Sequence, residues 1–409
     1  MSKNYLFIGG YFSSEDERLI IENSKSPVQY AANIFQKNLL SGIEKKKEEN
    51  ESLYKVSVPF VGAYPNNYKK LFFKTIEEEY ISFFNFFAIK NIFRKRNLIT
   101  FLRKNYLSDL KKSEKELVVF VYSPHTPFIE SAVNLKKIIK NVHICLIVPD
   151  LPQFMDLSNK KRVIYSFLKK IDYRRFQSNL KHIDSFVLLT EHMNEVVNPD
   201  KKEYVVIEGI VNREKSELIE SIETNILMKF NLSKNDYILY TGTLNEKFGI
   251  LDLVTAFLKI SLHTNKKLVI AGKGDSQKII DNLSKKNDSI IYLSQIDNSI
   301  AKVLQRNALY LVNPRKNDED YTKYSFPSKN MEYLKAGRPV VCYKLDGISK
   351  EYNEIFEYIT DTLENKLLEL FRKDVEELDR IGLQGKIFVL DNKNEEVQCE
   401  KIINLVNRS

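Results

Sequence analysis

The segment that decides the fold runs from Asn313 to Val341: Asn-Pro-Arg-Lys-Asn-Asp-Glu-Asp-Tyr-Thr-Lys-Tyr-Ser-Phe-Pro-Ser-Lys-Asn-Met-Glu-Tyr-Leu-Lys-Ala-Gly-Arg-Pro-Val-Val. An apolar run that ends at Asn313 predicts a strand, and an irregular polar loop follows it. We predict a helix over Lys329–Ala336, with Ser328 as its N-cap and Gly337 just beyond its last turn. Strand, loop, helix and strand in this order are typical of a parallel α/β sheet.

The loop before this helix has the properties of an anion site. A helix N-terminus presents N–H groups without intrahelical partners and the positive end of a dipole. Lys329 in the first turn opposes that dipole, and a bound diphosphate would remove the conflict. Glu332, one turn on, is placed to accept hydrogen bonds from ribose hydroxyls, and a solvated helix residue is the alternative interpretation.

Two more loops follow predicted strands in the same half of the chain. In Tyr240–Ile250, Gly242 allows a close approach of the backbone, and Thr243 and Lys247 can donate hydrogen bonds to phosphate. The run Ala-Gly-Lys-Gly-Asp places Gly272 at a third strand end. A glycine after a strand is also an ordinary turn, and Lys247 is equally well a surface lysine. It is the combination of three such loops that favours a phosphate site.

Apolar, β-branched runs alternate with helix-period segments from end to end, which indicates doubly wound parallel sheets. In the first half the predicted strands are Tyr5–Gly9, Leu117–Tyr122, Val142–Val148, Ser185–Thr190 and Tyr204–Glu208. After the polar stretch Asn212–Thr224 they are Tyr237–Tyr240, Lys267–Ala271, Ser289–Leu293, Leu309–Asn313 and Pro339–Tyr343. Predicted helices include Gln29–Gly42, Phe128–Lys140 and Ile250–Ile260. The length of 409 residues fits two domains, 1–212 and 213–409, and the last helix is a candidate to pack back on the first.

The run Tyr-Ser-Phe-Pro-Ser-Lys-x-x-Glu-Tyr-Leu-x-x-Gly-x-Pro-Val, which begins at Tyr324, resembles a motif of glycosyltransferase family 4 of the bacterial polysaccharide-assembly type. The resemblance covers the C-terminal half well and the N-terminal half more loosely. It implies the GT-B fold, in which two Rossmann-like domains face each other across a cleft. It also implies transfer of a sugar from a nucleotide diphosphate sugar, with UDP favoured and no cofactor, to a saccharide acceptor in cell-surface polysaccharide synthesis.

The same resemblance implies roles for individual residues. Glu332 would contact the nucleoside ribose, while Lys329 and Arg315 would stabilise the charge of the diphosphate leaving group. The other residues expected in the donor site are Gly242, Thr243, Lys247, Gly272, Ile296, Tyr324, Ser325, Phe326 and Ser328. This chain has Tyr324 where relatives commonly carry a second glutamate, the one that contacts the donor sugar. The identity of the sugar and the stereochemical outcome therefore stay open.

The acceptor side is expected in the first half of the chain. Gly9 and Gly10 end the first predicted strand, next to the loop that lines the acceptor side of the cleft in GT-B enzymes, and a tight turn explains them equally well. Asp150 follows the strand Val142–Val148 and is a candidate for orienting the acceptor hydroxyl or acting as general base. Capping a turn is the alternative role for this aspartate. His125, at the end of another strand, is a further candidate.

The net charge of +9 is concentrated in segments rich in aromatic residues. Asn66–Tyr106 contains nine Lys/Arg, three acidic residues and eleven Phe/Tyr, and Lys160–Lys181 is a second basic stretch. A basic, aromatic amphipathic helix docks on anionic membranes, which would bring the enzyme to a lipid-linked acceptor. The alternative is that the aromatic residues form core and the cations a solvated face. Nucleic-acid binding is not expected, because no recognition motif accompanies the charge.

The remaining features limit the class of protein. Cys145, Cys342 and Cys399 form no zinc or disulfide pattern. Without a signal peptide or an apolar run of about 20 residues, we expect a cytoplasmic protein that acts peripherally at the inner face of the cell membrane. Asp318 and Asp320 have a spacing that can hold a divalent cation, but we interpret them as a solvated acidic loop and expect no metal. The alternative functions are a nucleotide-sugar epimerase of the same fold and a non-enzymatic protein that binds nucleic acid or membranes.

Overall fold

The computed structural model describes residues 2–25, 28–77, 79–87, 89–153, 163–213 and 220–408; for 163–168, 220 and 221 it describes the backbone alone. The chain divides into two compact units. The first unit comprises Met1–Ile210 with Glu395–Ser409, and the second unit comprises Val211–Asn394. Each unit is built on one six-stranded sheet.

The first unit alternates strands and helices. Its strands are β1 Lys3–Gly9, β2 Ser52–Ser57, β3 Phe72–Phe73, β4 Phe83–Phe84, β5 Glu116–Tyr122, β6 Val142–Val148, β7 Ser185–Leu188 and β8 Tyr204–Val206. Its helices are α1 Ser14–Asn23, α2 Tyr30–Lys46, α3 Lys90–Asn105, α4 Leu107–Lys112, α5 Thr126–Lys136, α6 Val163–Asn179, α7 Asn194–Val197 and, at the end of the chain, α15 Glu395–Arg408.

The six-stranded sheet of the first unit has the order β2-β1-β5-β6-β7-β8, and all its pairs are parallel. The strands β1 and β6 are buried along their whole length, as expected for a parallel sheet with both faces covered. The strands β3 and β4 form a separate antiparallel hairpin. Because the chain runs outward from β1 in both directions, the order reverses between β1 and β5.

The second unit repeats this plan with a different strand order. Its strands are β9 Tyr237–Thr241, β10 Lys267–Ala271, β11 Ile290–Tyr292, β12 Tyr310–Asn313, β13 Val340–Cys342 and β14 Glu357–Tyr358. Its helices are α8 Glu220–Lys229, α9 Ile250–Ile260, α10 Gln277–Ser284, α11 Asn298–Asn307, α12 Ser328–Ala336, α13 Leu363–Phe371 and α14 Val375–Asn392. The parallel order β11-β10-β9-β12-β13-β14 is the doubly wound Rossmann order, and it reverses between β9 and β12.

The last helix, α15, belongs to the first unit. It packs on α2, where the Sγ of Cys399 lies 3.5 Å from the carbonyl oxygen of Leu39. A Cβ on Gly42 would lie 2.4 Å from that sulfur, so only glycine permits this approach of the two helices. Lys45 and Glu395 form an ion pair of 3.0 Å beside the contact. The structure thus groups 395–409 with the N-terminal part of the chain.

The ten strands predicted from the sequence are all present, and their ends differ from the prediction by at most two residues. The prediction missed β2, β3, β4 and β14. The predicted helix Phe128–Lys140 is wrong at both ends: it begins at Thr126, where Pro127 suits the first turn, and ends at Lys136. The three cysteines are free and buried. No helix in the described part of the chain is long and apolar enough to cross a membrane.

Candidate functional site

The loops after β9 and β12 meet at the point where the strand order of the second sheet reverses. Gly249, with φ of +75°, ends the first loop and precedes α9. A Cβ at this position would lie 2.2 Å from the carbonyl oxygen of Pro314 in the second loop. Glycine therefore permits both the left-handed backbone and the close approach of the loops.

The loop after β10 joins the same group. Gly272 has φ of +149°, and a Cβ there would lie 1.8 Å from the carbonyl oxygen of Gly242. The N–H of Gly242 donates to the carbonyl oxygen of Ala271 at 3.0 Å. The three loops that the sequence singled out are thus in contact at one sheet edge, where ligands of open α/β sheets bind.

Two predicted phosphate contacts, Thr243 and Lys247, are exposed in the first loop. The Tyr240 hydroxyl donates to the carbonyl oxygen of Thr243 at 2.8 Å and fixes the backbone there. The Asn245 side chain accepts from the N–H of Lys247 at 2.9 Å and caps a short 3₁₀ helix. The backbone of this loop is therefore defined, while the Thr243 hydroxyl and the Lys247 ammonium face solvent.

Arg315 is held in place by contacts from both loops. Its guanidinium carbon lies 4.7 Å from the ring centre of Tyr321 and 5.5 Å from that of Phe248. Its Nη1 donates to the Ser325 hydroxyl at 3.2 Å. Stacking and hydrogen bonding fix the planar guanidinium, which suits recognition of phosphate oxygens.

Helix α12 begins at Ser328, so the prediction that Ser328 is its N-cap is wrong. The N-cap is Pro327, whose extended backbone ends the loop and whose carbonyl oxygen accepts from the N–H of Asn330 at 2.9 Å. Because proline has no backbone N–H, no donor is left without a partner at this position, and the helix can begin directly after it. At the other end Gly337 is left-handed with φ of +77°, as predicted.

Lys329 and Glu332, predicted for two different roles, form an ion pair. The Lys329 Nζ lies 2.6 Å from Glu332 Oε2, and the side chains are 36% and 38% exposed. The carboxylate compensates the unfavourable interaction of Lys329 with the helix dipole, so a ligand is not needed to explain this lysine. An exposed pair of this kind is weak and can exchange its partners.

A buried polar network, which the sequence did not reveal, fixes α12 against the sheet. The Tyr333 hydroxyl accepts from the N–H of Thr241 at 2.8 Å, and Gln305 donates to the Thr241 hydroxyl at 3.0 Å. Asn313, at the end of β12, donates to the Asn330 side chain at 2.7 Å. Burial raises the pKa of Tyr333, so its hydroxyl stays protonated. The start of the helix is thereby fixed relative to the strand pair β9 and β12.

The other predicted donor residues differ in accessibility. Phe326 is buried, and its ring centre lies 5.3 Å from that of Tyr352, which places it in the core. Tyr324 and Ser325 are half-buried, and Ile296 is half-buried in the loop after β11. Asp318 and Asp320 are exposed. Among the residues described, no group of three His, Cys, Asp or Glu side chains is placed to hold a metal.

In the first unit, Gly9 is the last residue of β1 and Gly10 follows it, at the point where the strand order reverses. The N–H of Gly10 donates to the Gln36 side chain at 2.8 Å. A Cβ on Gly10 would lie 2.5 Å from the Phe60 ring, and one on Gly9 would lie 2.4 Å from Gln36 Oε1. Close packing of this turn therefore explains both glycines by itself.

His125 and Asp150 lie at the same edge of the first sheet. His125 precedes α5, and its Nε2 lies 3.4 Å from Arg94 Nη1. Burial, followed by the charges of Arg94 and Lys90, lowers the pKa of His125 well below its usual value. Asp150 is exposed beyond β6, and its charge adds to burial in raising the pKa of Tyr122 at the end of β5. Lys90 and Arg94 have no sequence signal of their own beyond their place in the basic segment Asn66–Tyr106.

The basic–aromatic segment is not one amphipathic helix. Its aromatic residues divide between core and surface: Phe73 and Phe83 are buried in the hairpin, whereas Phe72 and Phe87 are exposed. Part of the second basic stretch lies outside the described residues: 160–162 entirely, and the side chains of 163–168, which include Tyr165 and Phe167. Phe176 is buried.

Comparison with known proteins finds a family match within the second unit. Residues 223–379 match the family model described as glycosyl transferases group 1. The uncharacterized glycosyltransferase MJ1607 of Methanocaldococcus jannaschii is 29% identical over 181 residues, which are 42% of this chain and 45% of that protein. The match thus spans less than half the length of this relative.

Solved structures show the same fold over the full chain. Sucrose-phosphate synthase from Thermosynechococcus elongatus has a TM-score of 0.62 and 15% identity, with 100% of this chain and 99% of that chain covered. WaaG, a glycosyltransferase involved in lipopolysaccharide biosynthesis, has a TM-score of 0.55 and 14% identity, with 100% of both chains covered. The predicted GT-B fold is confirmed.

Proposed function

We propose that the whole chain, whose residues 223–379 match the model of the glycosyl transferases group 1 family, transfers a glycosyl group from a nucleotide diphosphate sugar, with UDP favoured, to a saccharide acceptor. One observation carries the proposal: three loops meet at the β9–β12 edge with the guanidinium of Arg315 fixed among them. This is the place where open α/β sheets bind their ligands.

The donor diphosphate is the leaving group, and its growing negative charge requires stabilisation in the transition state. Arg315 supplies a fixed planar cation, and Lys329 supplies a second one at the start of α12. When Lys329 turns to the diphosphate, Glu332 becomes available to accept from the ribose hydroxyls. We assign the charge stabilisation to these cations and the α12 amides, without a metal.

The acceptor is proposed to bind at the carboxyl edge of the first sheet. Asp150 is exposed there, two residues after β6, and a carboxylate at this place can orient the acceptor hydroxyl or take its proton. Gly10 and His125 lie at the ends of the neighbouring strands β1 and β5.

We further propose that the acceptor is lipid-linked and belongs to cell-surface polysaccharide synthesis, and that the β3–β4 hairpin docks on an anionic membrane. Phe72 and Phe84 are paired across the hairpin and share one face, and Phe72 is 52% exposed. Leu71 is exposed beside Phe72, and Lys70 and Lys74 are exposed on either side. Apolar side chains flanked by lysines suit the boundary between headgroups and acyl chains.

Co-sedimentation with vesicles tests the docking surface. The double variant Leu71→Ser/Phe72→Ser is expected to lose most of its binding to phosphatidylglycerol vesicles. Leu262→Ser is the matched control, because Leu262 is a highly exposed leucine of the second unit. Equal binding of the double variant and the wild type would exclude the hairpin as the docking surface.

A thermal-shift series with UDP, GDP, ADP and their sugars tests the donor site. UDP and UDP-sugars are expected to raise the Tm with a concentration dependence that follows mass action. Arg315→Met should abolish the shift, whereas Lys302→Met, an exposed lysine on α11, should retain it. Conversion of a UDP-sugar into its epimer without any acceptor would contradict glycosyl transfer and favour the epimerase alternative.

A further inference from the structure

The first unit contains a group of three basic side chains, Lys90, Arg94 and His125, which we call the basic cluster. Lys90 is the first residue of α3 and Arg94 follows one turn later. Arg94 Nη1 lies 3.4 Å from His125 Nε2, and His125 is the N-cap of α5. The N-termini of two helices thus bring their positive ends to this cluster.

The basic cluster has no acidic partner in the part of the chain that the structure describes. Arg94 is 3% exposed, and its polar contacts are His125 and the carbonyl oxygen of Pro59 at 3.2 Å. Its Nε is buried without a hydrogen-bond acceptor. Lys90 makes no ion pair among the same residues, and the first turn of α3 contains no acidic residue.

The neighbouring carboxylate is already engaged elsewhere. Glu130 on α5 pairs with Lys95 at 2.6 Å and with Arg175 at 2.6 Å. Lys95, next to Arg94 in sequence, therefore has a carboxylate partner, whereas Arg94 has none among the described residues: its guanidinium carbon lies 4.3 Å from the centre of the Phe83 ring, and its hydrogen-bond partners are neutral.

Three separate effects oppose this arrangement. Lys90 and Arg94 are like charges one helical turn apart, which repel each other. Lys90 at the helix start opposes the dipole of α3. Burial, followed by the charge of Arg94, lowers the pKa of Lys90 to about 7, and burial lowers that of Arg94 to about 9. The attraction of a bound anion would offset all three costs.

We propose that the basic cluster binds a phosphate ester group. Arginine presents a planar fork of donors that matches phosphate, and the lysine adds a point charge. Phe60 packs edge-on to His125 at 6.1 Å between ring centres and lies against Gly10, so the cluster adjoins the β1–β5 edge where the strand order reverses. This step rests on the function proposed above: the phosphate belongs to the acceptor, as in a sugar phosphate or a phosphate-linked lipid carrier.

Thermal shift with inorganic phosphate tests the site in the full chain. Phosphate is expected to raise the Tm of the wild type, and Lys90→Met should need at least tenfold more phosphate for the same shift. Arg96→Met is the matched control, because Arg96 is an exposed cation on the same helix, and it should respond like the wild type. A response of Lys90→Met equal to that of the wild type would overturn the proposal.

The behaviour of Lys90→Met without phosphate separates binding from a structural role. Because Lys90 has no acidic partner, its replacement is expected to leave the Tm unchanged or raise it in phosphate-free buffer. A Tm lower than that of the wild type would show that the lysine stabilises the fold, and this would count against an anion site.

Saturating UDP distinguishes the acceptor phosphate from the donor diphosphate. The phosphate response that depends on Lys90 should persist when UDP occupies the second unit, and its loss would assign the cluster to the donor instead. The titration without UDP remains informative even if UDP does not bind, so failure of the proposed function and failure of this site give different results.

Discussion

The Nζ of Lys329 lies 2.6 Å from Oε2 of Glu332, one turn further along α12. The carboxylate compensates a cation that the helix dipole disfavours, and its side chain is 38% exposed. A diphosphate on Lys329 and a ribose on Glu332 would each replace one partner of this pair. The pair therefore serves as a charge-balanced resting arrangement for the proposed donor site.

Glu332→Gln should affect two ligands in opposite directions. Release of Lys329 is expected to tighten pyrophosphate binding by about threefold to tenfold. UDP gains the same cation but loses the carboxylate acceptor for its ribose, so its binding should weaken by about tenfold. Calorimetric titration of the wild type and the variant with each ligand measures the two changes in affinity. Tightening of both, or weakening of both, would contradict the separate roles of Lys329 and Glu332.

Gly272→Ala should damage the donor site through the backbone. The new Cβ would meet the Gly242 carbonyl oxygen at 1.8 Å, and we expect a loss of about 2–4 kcal/mol in the free energy of unfolding together with weaker UDP binding. Gly337→Asn is the control: φ there is +77°, but a Cβ meets only the Lys386 side chain at 3.2 Å. Denaturant titration should show a much smaller loss for this variant. Equal losses would mean that the contact between the loops is unimportant.

Asp150→Asn should separate catalysis from donor binding. Asp150 is exposed, so the Tm and the affinity for UDP should not change. Loss of a general base or of the group that orients the acceptor should lower turnover by about 10²–10⁴-fold. The measurement is the rate of sugar transfer at saturating donor. Turnover within about twofold of the wild type would exclude a role for Asp150 in the reaction.

The basic cluster should make stability depend on pH. The pKa of Lys90 is lowered to about 7, so between pH 7 and the unfolded pKa the unfolded chain binds more protons than the folded one. The free energy of unfolding should therefore rise with pH in this window, relative to Lys90→Met, by on the order of 2 kcal/mol. Arg94 is the charged group that acts on Lys90, and the pKa of Arg94, lowered to about 9, lies in the same window. Because burial alone lowers the pKa of Arg94, its contribution is shared by the wild type and Lys90→Met and cancels in the comparison.

Sulfate is the probe for the bound state, because its charge does not change in this range. Its stabilising effect should be largest below pH 7 and should decline as Lys90 loses its proton. Parallel pH profiles for the wild type and Lys90→Met would contradict the assignment of the titration to Lys90.

The features that local sequence signals encode were predictable. Apolar runs predicted the ten strands, most of them followed by glycine or proline, and Gly272 and Gly337 marked two turns with left-handed backbone. Of these, Gly272 also makes the close backbone contact with the carbonyl oxygen of Gly242. Ser328 was misassigned because serine before a helical pattern is a common N-cap. In the structure the preceding residue, Pro327, is the N-cap, and Ser328 is the first residue of the helix.

The contacts between distant residues could not be predicted. The bond between Thr241 and Tyr333 joins residues 92 positions apart, and no local pattern indicates it. Arg94 and His125 are likewise brought together only by the packing of α3 on α5. The aromatic residues of the hairpin divide between core and surface by their pairing across strands, since Phe73 faces inward and Phe72 outward.

Calorimetric titration of UDP into the wild type and the double variant Arg315→Met/Lys329→Met tests the central claim, that a nucleotide diphosphate binds at the β9–β12 edge. With both cations removed, the Kd for UDP is expected to rise by about 10²-fold or more, while Lys302→Met keeps the wild-type value. A double variant that binds UDP as tightly as the wild type, at an unchanged Tm, would show that the diphosphate lies elsewhere and would contradict the account.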